Sequence, residues 1–263
     1  MPVNTKPINM KDDRLTIAAM GVLAMVLTTV DHEVIGHGSA CIFGGGSVLH
    51  ISTTLFACSK PSPFVALGGP LFDFSIGVLA WLVGSTIPAK RTGWRVFLLA
   101  IFAFSLFWES GYLMKAMLVR DGDLYFFARA WLGQPETMWR IACGVVGLAV
   151  YLLTLRLAEM RLAAIFGDSG RAKSGARTLW LAATVFAIIA ALAFKGDQAT
   201  LFWPNLRDAA LEIGLASAPL LFIPRTEQDG ETPEVKRNWP AIGFTACLFI
   251  AFTAIMGHGI GTF

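Results

Sequence analysis

Long apolar stretches separated by short polar connectors run through most of the chain. A transmembrane helix needs about 20 predominantly apolar residues, and seven stretches meet this requirement. They lie at 14–38, 63–87, 94–117, 138–164, 177–195, 201–223 and 240–260. The pattern predicts an all-α integral membrane protein of about six or seven transmembrane helices, in one polytopic domain over residues 1–263.

Two connectors carry patterns of their own. After the glycines at 44–46, β-branched and apolar residues alternate through SVLHISTTLF, which predicts a short β-hairpin or re-entrant segment between the first two helices. After the third helix, Asp121 and Asp123 flank Gly122. This pattern favours a turn before a short interfacial helix rich in aromatic residues. A metal role for the two aspartates is compatible with the pattern but is not needed.

Composition and charge agree with a membrane protein. The chain is 55% hydrophobic and 15% charged, with a mean hydropathy of +0.62, which is too apolar for a soluble domain. Alternate connectors hold fourteen of the 21 basic residues, so the positive-inside rule predicts a cytoplasmic amino terminus, and we expect a bacterial inner membrane. These connectors also account for the net charge of +3, so we predict no nucleic-acid partner.

The first apolar stretch ends in a cluster of ionisable residues. His32, Glu33 and His37 form the pattern HEVIGH, and each charge inside a bilayer costs about 2.5–3.5 kcal/mol. In the related pattern His-Glu-x-x-His, two histidines bind zinc and the glutamate activates its water. Positions five apart lie about 140° around an α-helix. A π-helical turn would bring both rings to one face, and Gly36 suits such a bulge.

Two other interpretations of the cluster stand beside a zinc site. Asp31, His32 and His37 could form a solvated cap where the helix reaches the membrane surface. Alternatively, Glu33 and His37, which are four residues apart, could form a proton relay without a metal.

Three segments in order resemble the site-2 protease family of intramembrane zinc metalloproteases: HEVIGHGSACIFGG, LGGPLFDFSIGVL at 67–79 and WESGYLMKAML at 108–118. The longer histidine spacing is similar to that in the zinc motif of the dipeptidyl-peptidase III family. The resemblance covers about the first 120 residues and implies that the site-bearing helices lie within 14–119. It does not assign the later helices at 138–260, which we interpret as scaffold because they carry few interior charges. It implies a Zn²⁺ site formed by His32, His37 and Glu109, with Glu33 as the general base.

Further site residues follow from the resemblance and from helix direction. Asp73 replaces the family's asparagine, and His258 falls in the same outer half of the bilayer, so both are additional candidates for the site. The resemblance also implies that a segment beside the active site holds substrate as an added strand, here Ser47, Val48, Leu49, His50 and Ile51. Cys41 and Cys58 bracket this segment, and we predict that they form a disulfide.

The sequence therefore predicts a zinc metallopeptidase that hydrolyses membrane proteins or peptides within the lipid bilayer through a zinc-activated water. Two alternatives remain. The same residues could serve proton or ion passage or partner binding in a non-proteolytic membrane protein. A zinc-dependent hydrolase of lipid amides would use the same chemistry on a different substrate.

Overall fold

Helices make up most of the structure, which is a computed structural model describing residues 12–196, 198–223 and 232–261. Within that part of the chain, six helical segments are long and apolar enough to cross a membrane. They are Arg14–Phe43, Pro63–Thr86, Thr92–Leu118, Glu136–Phe166, Ser169–Leu192 and Trp239–Gly257. These segments match six of the seven predicted stretches. Lys6, Lys11 and Arg225, which contribute to the predicted orientation, lie outside the described residues.

The first of these segments is not one regular helix. It consists of α1 (Arg14–Val30), a π-helical turn (Asp31–His37) and α2 (Gly38–Phe43). The other long helices are α3 (Pro63–Thr86), α4 (Thr92–Leu118), α6 (Glu136–Phe166), α7 (Ser169–Leu192) and α9 (Trp239–Phe252), which continues as a π-turn (Thr253–Gly257). The predicted interfacial helix is α5 (Asp123–Leu132). Polar side chains at Asp13, Ser62, Asp168 and Asn238 accept backbone N–H groups at the starts of α1, α3, α7 and α9, as expected of N-caps.

The stretch predicted as a regular helix at 201–223 is broken instead. It contains a π-turn (Gln198–Phe202), α8 (Trp203–Ala209), a second π-turn (Ala210–Leu215) and a short 3₁₀ helix (Ala218–Leu221). Pro219 lacks the N–H that a continuing α-helix would use. The prediction of a regular helix here is therefore wrong.

This broken segment nevertheless runs the length of α7. Near its start, the Asn205 side-chain amide donates to the Ala191 carbonyl at 3.3 Å. Near its end, the Leu221 carbonyl accepts from Arg177 at 3.2 Å. The segment is thus antiparallel to α7 and passes from one end of the bundle to the other. Irregular backbone at membrane depth is tolerated where it is buried in protein or lines a cavity.

A three-stranded antiparallel sheet lies beside the helices. It has the order β2–β1–β3, with β1 at Val48–Ile51, β2 at Phe56–Cys58 and β3 at Ile260–Gly261. The hairpin prediction is confirmed, and the third strand was not foreseen. The structure also contains the predicted disulfide between Cys41 and Cys58, which ties the end of α2 to β2.

The third strand pairs with the end of the segment predicted to hold substrate, Ser47–Ile51. At its end, β1 is bonded on both sides, since His50 pairs with Ala57 of β2 and with Gly261 of β3. An added strand needs a free row of backbone N–H and C=O groups. The third strand covers His50 and Ile51 only, so substrate binding by Ser47–Ile51 stays a prediction. The outer edge of β2 is the edge next to the cleft described below.

The apolar core centres on α4, whose residues from Val96 to Ser110 are nearly all buried. In contrast, α6 exposes a row of large apolar side chains at Ile141, Val145, Leu148 and Leu152. Such a contiguous apolar surface on a long helix is typical of a helix that faces lipid. The fold thus holds α4 at the centre, where Glu109 lies buried among its neighbours.

Candidate metal centre

The two histidines of HEVIGH lie on one face of their helix. Residues Asp31–His37 form a π-helical turn, so the five-residue spacing from His32 to His37 brings the rings together, with centroids 4.8 Å apart. Both side chains are buried. The π-turn predicted from this spacing is confirmed.

Gly36 has a second role that the sequence did not indicate. A Cβ at Gly36 would lie 2.6 Å from the Gly69 Cα and 2.7 Å from the Gly68 carbonyl oxygen. Only glycine permits this approach of the backbones, so Gly36 sets how closely α3 packs against the π-turn. The contact brings the start of α3 against both histidines.

The His37 ring has a defined orientation and tautomer. Its Nδ1 lies 2.6 Å from the Val65 carbonyl oxygen, and because a carbonyl only accepts, Nδ1 carries the hydrogen. Phe56 of β2 stacks on the ring at 5.3 Å between centroids. The Nε2 lone pair is therefore the free metal-binding position of His37.

Two carboxylates lie beside Nδ1 of the His32 ring. Its Nδ1 lies 3.3 Å from Glu109 Oε1 and 3.6 Å from Asp73 Oδ2, and Ser105 donates to Asp73 at 3.1 Å. Trp108 stacks on the imidazole face, with centroids 4.4 Å apart and planes within 10°. A carboxylate on the far nitrogen is the usual partner of a metal-binding histidine, and it leaves His32 Nε2 free for a metal.

Asp123 completes the group on the Nε2 side. Its Oδ2 lies 3.5 Å from His32 Nε2 and 3.5 Å from His37 Nε2. Ligands bound at about 2.0–2.1 Å in a tetrahedral zinc site are roughly 3.3 Å apart, which agrees with these distances. Gly122 has φ +93°, a conformation that suits glycine, and this turn starts α5 with Asp123 facing the histidines.

Charge also favours Asp123 as a ligand. Burial alone would raise the pKa of Asp123, but the adjacent His37 and His32 rings, in their protonated form, lower it well below its usual value. The side chain is thus a carboxylate at neutral pH, which is the form that binds a metal.

The space between these three ligands is open because residue 69 has no side chain. A Cβ at Gly69 would lie 2.5 Å from His37 Nε2 and 2.6 Å from His32 Nε2, so a methyl group would enter the position a metal needs. Glu33 Oε2 and His32 Nε2 are buried without a hydrogen-bond partner among the described residues. Unsatisfied buried polar atoms require an explanation, and a bound metal and its water would supply one.

The structure distributes the sequence-predicted residues over two sides of His32. His32 and His37 converge as predicted, whereas Glu109 and Asp73 lie at Nδ1 of His32, forming a second group that could hold a metal. His258 belongs to neither group, and its Nδ1 contacts the carbonyl of Ala254 one turn earlier. His258 also does not line the cleft beside His37.

Asp123 is the candidate ligand that the sequence analysis did not select. The available signal was the Asp-Gly-Asp turn directly after the third helix, at the same end of the bundle as His37. The Asp-Gly-Asp pattern predicted a turn correctly, but the packing of α5 against α3 depends on tertiary contacts that the local sequence does not reveal.

A cleft of about 580 Å³ opens beside the metal centre. Glu33, His37 and Asp123 line its inner end, and Phe56 of β2 lines one wall. Charged side chains at Lys115, Asp121 and Asp208 line the mouth. The candidate centre therefore borders an open cleft, although most of its possible ligands are buried.

The broken segment forms part of this cleft. Asp208 lines it, and Glu212, which lies four residues later and is buried, accepts a hydrogen bond from the Tyr112 hydroxyl. Asn205 lies where the segment meets the hairpin turn, and its Oδ1 accepts from Thr53 and Thr54 at 3.0 Å. These bonds fix the broken segment against the hairpin that carries Phe56.

The chain matches no protein-family model, no curated protein and no solved structure. The functional argument rests on the geometry of the centre.

Proposed function

We propose that this chain is an intramembrane zinc metallopeptidase in which His32, His37 and Asp123 hold the metal. The observation that carries the proposal is the convergence of two Nε2 atoms on one Asp123 oxygen, at 3.5 Å each. The far nitrogens contact Val65, Glu109 and Asp73 and so present both lone pairs to the same point. Two histidines and one carboxylate are the ligands of many catalytic zinc sites, which keep the fourth position open.

When bound, zinc supplies Lewis-acid chemistry, because it lowers the pKa of water and polarises a carbonyl oxygen. Glu33 follows His32 directly and lines the cleft with an unpaired Oε2. As general base it takes the proton of the attacking water and passes it to the leaving amine. Glu109 and Asp73 act as positioning residues, because they orient the His32 ring.

The lining of the cleft supports a peptide substrate. The free edge of β2 offers backbone N–H and C=O groups to an extended chain, as in β-augmentation. Charged side chains at Lys115, Asp121 and Asp208 line this cleft together with apolar residues such as Phe56 and Phe126. An unfolded segment of a membrane protein would enter between β2 and α5.

The same proposal places the protein in a bilayer with the cleft toward the oxidising side. Six long apolar helices support a membrane location. The Cys41–Cys58 disulfide lies at the cleft, where Cys58 is part of the lining, and disulfides persist in oxidising compartments. The distribution of basic residues, which predicts a cytoplasmic amino terminus, is consistent with this orientation.

The resemblance to site-2 proteases agrees with the proposed chemistry but differs in one residue. The order of the motifs assigns His32 and His37 as metal ligands and Glu33 as the general base, as in the proposed chemistry. Glu109, which the resemblance assigns as third ligand, lies 3.3 Å from Nδ1 of His32 rather than beside Nε2. We therefore assign Glu109 to orienting the histidine and Asp123 to the metal.

Metal content and activity test the proposal together. Wild type should carry about one zinc per chain in elemental analysis, and His37→Ala and Asp123→Asn should lose it. Glu109→Gln is the matched control, since loss of an orienting carboxylate typically weakens metal affinity by about 10–100-fold, and zinc should rebind when it is supplied in excess. If Glu109→Gln stays empty while Asp123→Asn retains zinc, the ligand assignment is wrong.

Activity is measured with a membrane-anchored peptide reporter in detergent or proteoliposomes. Glu33→Gln should retain zinc and lose turnover by about 10²–10⁴-fold, the usual contribution of a general base. A Glu33→Gln variant that cleaves at the wild-type rate would overturn the catalytic role. If the wild-type protein binds no zinc even after zinc is supplied, the proposed zinc-hydrolase function is wrong.

A second candidate function rests on the buried carboxylates. Asp73 and Glu109 surround one ring nitrogen of His32, and no Lys or Arg side chain pairs with either within the described residues. Such intramembrane groups also mark proton paths. A zinc-free protein that acidifies proteoliposomes, and loses this activity in Asp73→Asn, would favour proton passage.

A further inference from the structure

A second large groove lies at the end of the bundle opposite the metal centre. It has a volume of about 730 Å³ and lies between the starts of α1, α4 and α9. Met20 of α1 lines it, and twelve residues separate Met20 from His32, which is about 18 Å along a helix. The groove is therefore a separate site, which the proposed peptidase chemistry does not use.

The groove is apolar inside and basic at its mouth. The apolar lining consists of Met20, Leu23, Phe97 and Phe244, and these residues lie within about three helical turns of the ends of their helices. The mouth carries Lys90, Arg91, Lys236 and Arg237. The interior of the groove therefore suits a hydrocarbon chain, and its mouth suits a negatively charged group.

Most of the positive charge at the mouth is available to a ligand. Arg237 forms an ion pair with Asp13, whereas Lys90, Arg91 and Lys236 have no ion-pair partner among the described residues. Glu234 also lines the groove and contributes one opposing charge. The unpaired cations therefore outnumber the acidic lining residue by three to one.

We propose that this groove binds one anionic diacyl phospholipid. Its phosphate would lie between Lys90 and Lys236, and its acyl chains would extend past Phe97 and Phe244 toward the bilayer. Basic pockets between transmembrane helices are recognised by anionic head groups, and the order of charged mouth and apolar interior matches the order of head group and chains. The inference rests on the proposed membrane location, but not on the metal centre.

The experiment measures lipid retention by delipidated full-length protein in neutral detergent, using native mass spectrometry. Phosphatidylglycerol and phosphatidylcholine of equal chain length are compared, and inorganic phosphate is added as a competitor. Wild type should prefer phosphatidylglycerol by at least tenfold, and phosphate alone should not displace it. Equal retention of the two lipids, or full displacement by phosphate, would overturn the proposal.

Charge variants locate the site. Lys90→Gln and Lys236→Gln should each weaken phosphatidylglycerol binding by about fivefold, and together by about 30-fold, from the typical contribution of a basic residue at an anionic surface. Lys173→Gln is the control, since Lys173 lies outside this groove. It should change binding by less than about twofold. An equal effect of Lys173→Gln would show that the attraction is diffuse and the groove irrelevant.

A pair of glycine variants tests the shape of the groove without altering charge. Gly93 lines the groove and Gly243 does not, and a Cβ at either position meets no atom within 4 Å. Both Gly93→Leu and Gly243→Leu should therefore fold, as helical circular dichroism can verify. Only Gly93→Leu should reduce lipid retention, and equal retention in both variants would contradict binding in this groove. Extraction of wild type without detergent would instead refute the membrane location.

Discussion

Gly69→Ala should remove the metal without changing any ligand. The new methyl carbon would lie 2.5 Å from His37 Nε2 and 2.6 Å from His32 Nε2. Ordinary van der Waals contact starts at 3.4 Å, so the rings would have to retreat by about 0.8–0.9 Å, whereas zinc sites tolerate deviations of about 0.2 Å. The methyl group would also occupy the metal position itself, so we expect less than a tenth of the wild-type zinc content.

Overpacking also destabilises a fold, by about 1–3 kcal/mol, so the assay needs a control for stability. Gly77→Ala supplies it, because Gly77 lies on α3 like Gly69 and a Cβ there would meet Leu106 Cδ2 of α4 instead of the histidines. Both variants should melt at lower temperature than wild type, but only Gly69→Ala should lose zinc in elemental analysis. A folded Gly69→Ala protein that retains one zinc per chain would refute the site geometry.

Two further predictions concern the same region. Gly36→Ala should destabilise the protein by about 1–3 kcal/mol, because its Cβ would meet the Gly68–Gly69 backbone within 2.8 Å. Gly38→Ala should be neutral or more stable by about 0.5–1 kcal/mol, since its nearest atom lies 3.7 Å away. Unfolding midpoints of the two variants measure the difference, and equal midpoints would contradict the close approach. The Cys41–Cys58 disulfide predicts two free thiols in the unreduced protein, at Cys143 and Cys247, and four free thiols after reduction. Four free thiols before reduction would exclude the disulfide.

The sequence predicted the features that depend on local pattern. Apolar length located six helices, and the alternating segment after Gly46 located the hairpin. The π-turn could be predicted because two histidines five apart share a face only when the helix widens between them. In each case one short window contains the information that determines the structure.

Features that depend on long-range packing could not be predicted in this way. Asp123 reaches the histidines because α5 folds back over α3, and nothing within Asp121–Leu132 encodes that direction. Two residues, Ile260 and Gly261, form β3, and so short a strand leaves no alternating pattern. The apolar stretch at 201–223 satisfied the length rule, although buried Asn205 bonds to the hairpin and the helix is broken.

The π-helical turn at Asp31–His37 also shows that the sequence spacing of a motif does not by itself fix where its side chains lie. It accommodates one residue more than an α-helix between two side chains on the same face. Deletion of a single codon among Val34, Ile35 and Gly36 would leave the histidines at the four-residue spacing of a regular helix. A one-codon insertion or deletion can thus change the written form of a metal motif while its ring nitrogens keep their places. Helical motifs are therefore better compared by the face they occupy than by the number of letters between them.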